Sequence, residues 1–248
     1  MCVSDNAYVT HIKEILMYYD ATYFILIPAI ILTFYAQFKV KRNFAKFSRV
    51  PSGTGITGAK AARIVLDANG LTNVSINPVG GSLTDHYDPS KQTVNLSQSV
   101  YGETSIAALA VACHECGHAI QHSKNYGLLS FRNTLVPVAN ITSNISWPLA
   151  IVGIILIGAG SMDIGNLLFM VGVGFFGIVV LFHLVTLPVE LNASSRALKQ
   201  MVECNLIDTD EKRGARKVLS AAALTYVAAL ATALANMLRL IAMRNRSR

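Results

Sequence analysis

The residues best suited to chemistry form a short segment, Cys113-His114-Glu115-Cys116-Gly117-His118, which contains the pattern H-E-x-x-H. Positions four apart lie on the same face of an α-helix, so His114 and His118 can reach one metal ion together. Two such imidazoles with a glutamate beside them are typical of the zinc sites of metalloproteases. In these sites the glutamate acts as the general base toward water that the metal activates. The pattern therefore predicts Zn²⁺ as cofactor, His114 and His118 as metal ligands, and Glu115 as the catalytic base.

The two cysteines in the same segment allow a different interpretation. Cys113 and Cys116 form a C-x-x-C pair, which occurs in redox sites and in structural zinc sites. A site that used these thiolates would compete with the histidines for the same metal. We therefore predict that both cysteines are small packing residues of the helix.

The elements that position this segment belong to a membrane protein by composition. The chain has 248 residues, of which 52% are hydrophobic and 14% are charged, and its mean hydropathy is +0.45. Soluble domains are about one quarter charged. The formal net charge is +7, but the basic residues flank apolar segments and show no pattern suited to stacking bases. The charge therefore indicates a lipid bilayer as partner and excludes nucleic acid.

Four apolar segments divide the chain, at about 21–38, 136–159, 167–187 and 218–238. Each is long enough to span a bilayer as a helix. Basic residues follow the first segment, and no acid intervenes before Asp67, so the positive-inside rule places this flank in the cytoplasm. A fourth span would leave the basic residues of 244–248 outside, against the positive-inside rule. Two arrangements of the last segment thus stay open: it spans the membrane, or it folds back.

These segments predict a mainly α membrane protein with three to four transmembrane helices and a zincin-like cytoplasmic α+β portion with a short β element. The predicted parts are a transmembrane anchor (1–40), a cytoplasmic part with the motif helix (41–133), two transmembrane helices (134–189), a cytoplasmic helix with the third zinc ligand (190–217), and an apolar helix with a basic tail (218–248). Residues 93–96 are β-like, and we consider them as an edge strand that pairs with an extended substrate or as an ordinary hairpin strand.

A catalytic zinc site needs a third protein ligand and an open fourth position. The acidic residues downstream of the motif are Asp163, Glu190, Glu203, Asp208, Asp210 and Glu211. The order of the apolar segments places Asp163 on the far side of the membrane. Glu190 follows the third apolar segment at the cytoplasmic face, where we expect it to begin a helix and to be the third ligand. Glu203 is the alternative, and a carboxylate favoured at a helix N-terminus would explain Glu190 without a metal.

The sequence resembles the YugP-like family of neutral zinc metallopeptidases and, more distantly, HtpX-like membrane proteases. Four stretches carry the resemblance: 57–63 with 69–71, 83–89 with 94–97, 114–121 and 187–194. The resemblance implies a bacterial integral-membrane peptidase and supports Glu190 as third ligand. An acid that orients a histidine often stands four positions after such a glutamate, whereas Ser194 stands there in this chain, and Asn192 occupies a position that is acidic in some relatives.

These observations together predict a membrane-embedded zinc metalloendopeptidase that hydrolyses peptide bonds of protein or peptide substrates. We expect its active site to face the cytoplasm from a bacterial plasma membrane. Arg196 and Tyr226 are possible donors to the oxyanion, and the sequence does not rank them. The competing class is a non-catalytic scaffold or chaperone with a structural zinc, against which Glu115 argues. A transporter is disfavoured because the apolar segments contain almost no charge.

Overall fold

The computed structural model describes residues 22–246, and most of these residues are helical. The helices are α1 (Ile27–Phe47), α2 (Gly58–Ala68), α3 (Gln98–Tyr101), α4 (Ile106–Ser123), α5 (Gly127–Gly158), α6 (Met162–Glu203) and α7 (Thr209–Arg246). The strands are β1 (Ser75–Val79), β2 (His86–Asp88) and β3 (Thr93–Ser97). In the described part of the chain, α5, α6 and α7 are long and apolar enough to cross a membrane. The prediction of a mainly α membrane protein with a short β element is therefore confirmed.

The first apolar segment begins at residue 21, and residues 1–21 lie outside the described part of the chain. Its described portion continues as α1, which also contains the basic residues that begin at Lys39. Because of these charges, α1 is not one of the three apolar helices. The N-terminal anchor and the other predicted segment boundaries stay predictions.

Two long helices differ from the sequence prediction at their proline and polar positions. We expected Glu190 to begin a new helix after Pro188, but α6 continues from Met162 to Glu203 with Pro188 inside it. Helix α5 likewise includes Pro137 and Pro148 and begins at Gly127, well before the predicted apolar segment. Proline removes one backbone donor, yet long membrane helices tolerate it where neighbouring groups satisfy the freed carbonyl. The interpretation of Glu190 as a helix N-terminal carboxylate is therefore wrong.

The described residues form two compact units, and one of them comprises Tyr35–Leu135 and Leu184–Val227. Its core is built around α2, α4 and β3, and the largest fully buried side chains include Leu66, Leu96 and Leu109. Ser105 caps α4 by accepting a hydrogen bond from the backbone N–H of Ala108 at 3.2 Å. This capping and burial fix the position of the helix that carries the H-E-x-x-H pattern.

The sheet of this unit has the order β1-β3-β2, with β1 parallel and β2 antiparallel to β3. Strand β3 is central and mostly buried. Since both of its edges are paired, residues 93–96 cannot add an extended substrate as an edge strand, and that interpretation is wrong. The outer strands are β1 and β2.

The second unit comprises the described residues of 22–34, 136–183 and 228–246. Glycines on α5 and α6 allow close backbone contact in this unit. A Cβ on Gly153 would lie 2.6 Å from the backbone nitrogen of Phe169, and a Cβ on Gly172 would lie 2.8 Å from the carbonyl oxygen of Ser146. Small residues at helix contacts are typical of membrane helix pairs.

Candidate metal centre

Helix α4 is buried except for one narrow stripe and its exposed last residue, Ser123. Its partly exposed residues are Val111, His114, His118 and His122, which recur every three or four positions and so share one helical face. Cys113 and Cys116 point the other way and are fully buried in the core. Burial raises the pKa of both thiols, as expected for packing residues. The two histidines of the motif therefore occupy the open face, and the cysteines do not accompany them.

Helix α6 brings Glu190 to this open face of α4. The two helices approach closely because α4 carries Gly117: a Cβ there would lie 2.6 Å from the backbone oxygen of Ala193. Ala193 is itself fully buried. A glycine and an alanine at the contact allow the backbones to approach closely, so His118 and Glu190 on adjacent turns can meet.

Replacing Gly117 by alanine is expected to weaken metal binding and to lower the thermal unfolding temperature. A Cβ at 2.6 Å from a backbone oxygen forces α4 and α6 apart, and strain of this kind costs about 1–3 kcal/mol. Differential scanning fluorimetry and zinc titration measure the two effects. Gly102→Ala is the matched control, since no atom lies within 4 Å of a Cβ at that position. Equal behaviour of the two variants would contradict the contact.

Three side-chain atoms converge at the centre of this site. Oε2 of Glu190 lies 3.3 Å from Nε2 of His114 and 3.4 Å from Nε2 of His118. Tetrahedral zinc ligands at about 2.0–2.1 Å from the ion lie roughly 3.3–3.4 Å from one another. Among the described residues these three form the group able to hold a metal, and their ligand atoms lie within 4.8 Å of one another. The distances that involve Glu190 thus equal those of a tetrahedral zinc site.

The hydrogen bonds around His118 show which lone pairs face the centre. Gln121 donates from Nε2 to the carbonyl of Val189 at 2.8 Å, so its Oε1 faces Nδ1 of His118 at 3.0 Å. An amide oxygen only accepts, and Nδ1 must therefore carry the hydrogen. In the neutral imidazole the lone pair is then on Nε2 and faces Glu190. The Oε2 atom of Glu190 is buried and has no hydrogen-bond partner.

An ion explains this arrangement better than a proton does. A proton on one imidazole satisfies one nitrogen, whereas a cation at the common point satisfies all three atoms. Burial alone lowers the pKa of His118, but the carboxylates of Glu190 and Glu115 raise it overall. The negative field that attracts a proton would equally attract a divalent cation. The donor set of two imidazoles and one carboxylate fits Zn²⁺.

Each histidine has a partner on its other ring nitrogen. Nδ1 of His114 lies 3.2 Å from Oγ of Ser194, and Nδ1 of His118 bonds to Gln121. The amide nitrogen of Gln121 also donates to Oδ1 of Asn192 at 3.0 Å. Ser194 and Asn192, which stand where acids were considered, thus contact His114 and Gln121 respectively. Sequence reasoning missed Gln121, although its position three residues after His118 was a usable signal.

Replacing Gln121 by leucine is expected to weaken Co²⁺ or Zn²⁺ binding by about 10- to 100-fold, the usual effect of losing a partner of a metal-bound histidine. Leucine has a similar size but cannot hold the hydrogen on Nδ1 of His118 or bond to Val189. Competition titration with a chromophoric chelator measures the affinity, and Gln98→Leu, at an exposed position, is the control. An unchanged affinity in Gln121→Leu would show that the bond is incidental.

The other candidate residues, and His122 on the next turn of α4, take different positions. Glu203 pairs with Lys199 at 3.6 Å and accepts from Gln200 at 2.9 Å, and it is not part of the cluster. Nδ1 of His122 lies 2.9 Å from the hydroxyl of Tyr87. Arg196 donates to Asn192 at 2.7 Å. Tyr226 interacts with the carboxylates of Glu190 and Glu115.

The comparisons with known proteins point to one family. Residues 22–245 match the profile of a family described as "Putative neutral zinc metallopeptidase". The chain is also 49% identical over 218 residues to the "Putative membrane protease YugP" of Bacillus subtilis (strain 168), a match that covers 88% of this chain and 94% of that protein. No solved structure matches the chain. The chain therefore belongs to the neutral zinc metallopeptidase family, and the resemblance to YugP-like proteins seen in the sequence is confirmed.

Proposed function

We propose that this protein is a membrane-embedded zinc metalloendopeptidase, with His114, His118 and Glu190 as metal ligands and Glu115 as general base. The observation that carries the proposal is the convergence of two Nε2 atoms on one carboxylate oxygen, which lies at the ligand–ligand distance of a tetrahedral zinc site from each of them. Membership in a zinc metallopeptidase family supports it independently. Zn²⁺ bound there would acidify a water molecule and polarise the scissile carbonyl.

The chain's own residues then move the proton. Glu115 follows His114 on α4, is largely buried at 8% exposure, and acts electrostatically on His118. From this position its carboxylate accepts the proton of the attacking water and returns it to the departing amine. The hydrogen bonds of Gln121 and Ser194 keep the two imidazoles in the orientation that the ligand set requires.

Tyr226 is the better of the two candidate oxyanion donors. The carboxylates of Glu190 and Glu115 act electrostatically on its hydroxyl, which supports a place for it near the reacting centre. Arg196 is instead held by Asn192 and lies over the ring of Tyr126, with its guanidinium carbon 6.0 Å from the ring centre. A phenol close to the carboxylates can donate to the negative oxygen of the tetrahedral intermediate.

The competing function is a scaffold or chaperone in which zinc is structural. Structural zinc sites have four protein ligands, whereas the described residues supply a group of three here. A buried glutamate next to the ligands also has no purpose in a purely structural site. Both observations favour catalysis.

We place the protein in a bacterial plasma membrane with its site facing the cytoplasm. The similarity to the Bacillus subtilis protein named "Putative membrane protease YugP" and the three apolar helices support this location. The orientation follows from the basic residues after the first apolar segment. Protein or peptide substrates follow from the peptidase family.

Proteolysis by the purified full-length protein tests the proposal. We expect cleavage of casein or a quenched fluorescent peptide, loss of cleavage after 1,10-phenanthroline, and recovery on adding Zn²⁺ at one equivalent per chain. Cleavage that survives complete removal of the metal would refute the zinc mechanism. Zinc bound at one equivalent with no cleavage of any peptide would favour the scaffold.

A further inference from the structure

A basic groove lies between α1 and α7, apart from the metal centre. Its volume is about 440 Å³, and it is lined by Tyr35, Phe38, Lys39, Arg42, Asn43, Lys46, Phe47, Lys217 and Ser220. These residues all belong to the unit that contains the metal centre. We propose that the groove binds the headgroup of an anionic phospholipid.

The cations converge because of their spacing. The lining residues of α1 recur at intervals of three and four from position 35 to position 46, so they share one face of the helix. Lys217 and Ser220, three apart on α7, complete the groove. Asn43 joins the two helices by donating from Nδ2 to the carbonyl of Lys217 at 3.0 Å. Gly214 allows this approach, since a Cβ there would lie 2.9 Å from the ring of Phe47.

The charge of the groove has no counterpart within the described protein. Among the residues that line it, four are cationic and none is acidic. No ion pair within the described residues involves Lys39, Arg42, Lys46 or Lys217. Like charges held on one face repel each other, and an anion between them removes that repulsion. The groove therefore selects an anionic ligand.

Aromatic rings and the order of residues point to a lipid as the source of that anion. Tyr35 and Phe38 are 54% and 61% exposed and directly follow the apolar part of α1, where Ile31 and Phe34 are also exposed. Nζ of Lys39 lies 5.6 Å from the centre of the Tyr35 ring. Apolar, aromatic and then basic residues are the order expected from the acyl region to the phosphate level of a bilayer.

The sequence of helix α7 independently places the membrane surface at the same groove. Lys217 is immediately followed by the apolar segment 218–238, so the charged part of an apolar helix meets the groove. Both helices therefore change from basic to apolar residues at one place, as they would at the membrane surface. A headgroup there can contact the cations while its acyl chains remain in the bilayer.

Native mass spectrometry of the full-length protein in detergent tests the site. The probes are dioleoyl-phosphatidylglycerol and dioleoyl-phosphatidylcholine, and we expect at least tenfold tighter binding of the anionic lipid. Arg42→Gln combined with Lys46→Gln should weaken phosphatidylglycerol binding by roughly 10- to 30-fold, since each interfacial cation contributes about one decade or less. Zinc content and unfolding temperature should not change.

Arg49→Gln combined with Arg213→Gln is the matched control, because it removes the same charge from exposed positions that do not line the groove. We expect this variant to bind phosphatidylglycerol within twofold of the wild type. Equal losses in both double variants would show a diffuse basic surface and overturn the proposal. Equal affinity for the two lipids would also overturn it. So would binding of inorganic phosphate as tight as that of phosphatidylglycerol.

Discussion

Glu115→Gln is expected to lower peptide hydrolysis by about 10²- to 10⁴-fold while the protein still binds one zinc ion per chain. Glutamine has nearly the same shape as glutamate but cannot accept the proton of the attacking water. Glu115 is not a member of the converging ligand group, so metal binding should survive the change. Rates on a quenched fluorescent peptide and zinc content by atomic emission measure the two properties together.

The variant also separates the two classes of function considered above. A structural zinc site needs no base, and a scaffold would lose nothing on this substitution. Full hydrolysis by Glu115→Gln would remove Glu115 from the mechanism. Loss of both zinc and hydrolysis would mean that Glu115 is needed to build the site rather than to move a proton.

Glu190→Ala is expected to reduce zinc affinity by more than the roughly 10- to 100-fold typical of losing an indirect partner, and to abolish hydrolysis. The variant removes the carboxylate whose Oε2 faces both histidines at 3.3 and 3.4 Å. The metal-free protein should remain folded, because the change also removes a buried carboxylate oxygen that has no hydrogen-bond partner. Competition titration measures the affinity, and circular dichroism monitors the fold.

Glu203→Ala is the control on the same helix. Its carboxylate lies at the exposed end of α6 and pairs with Lys199, so zinc affinity and hydrolysis should stay at the wild-type level. If Glu203→Ala lost zinc and Glu190→Ala retained it, the assignment of the third ligand would have to be reversed.

The part of the site that local geometry determines could be predicted from sequence. His114 and His118 share a face because of helical periodicity alone, which needs no knowledge of the tertiary fold. Glu190 could be proposed only through the order of apolar segments and a family resemblance, and its 72-residue separation from His118 gives no local signal. The role of Gln121 depends on the backbone carbonyl of Val189, which no side-chain pattern reveals.

The errors have physical causes of the same kind. The helix start predicted at Glu190 is absent, because tertiary contacts of a long apolar helix can outweigh the backbone donor that Pro188 removes. Residues 93–96 have the composition of a strand, yet β1 pairs with them in parallel on one side and β2 pairs with them antiparallel on the other. The order of strands in a sheet depends on long-range contacts, and the residue pattern within one strand does not predict it.

The separation of the proposed ligands along the chain has a consequence for how the site is assembled during synthesis. If Glu190 completes the metal site, a ribosome that has synthesised the histidine pair must still produce 72 residues, including α5 and most of the apolar part of α6. At about 5–20 residues per second this takes roughly 4–14 s. Under the proposed mechanism, the nascent chain could therefore not cut its neighbours, or the insertion machinery that holds it, until α5 and most of the apolar part of α6 have been synthesised.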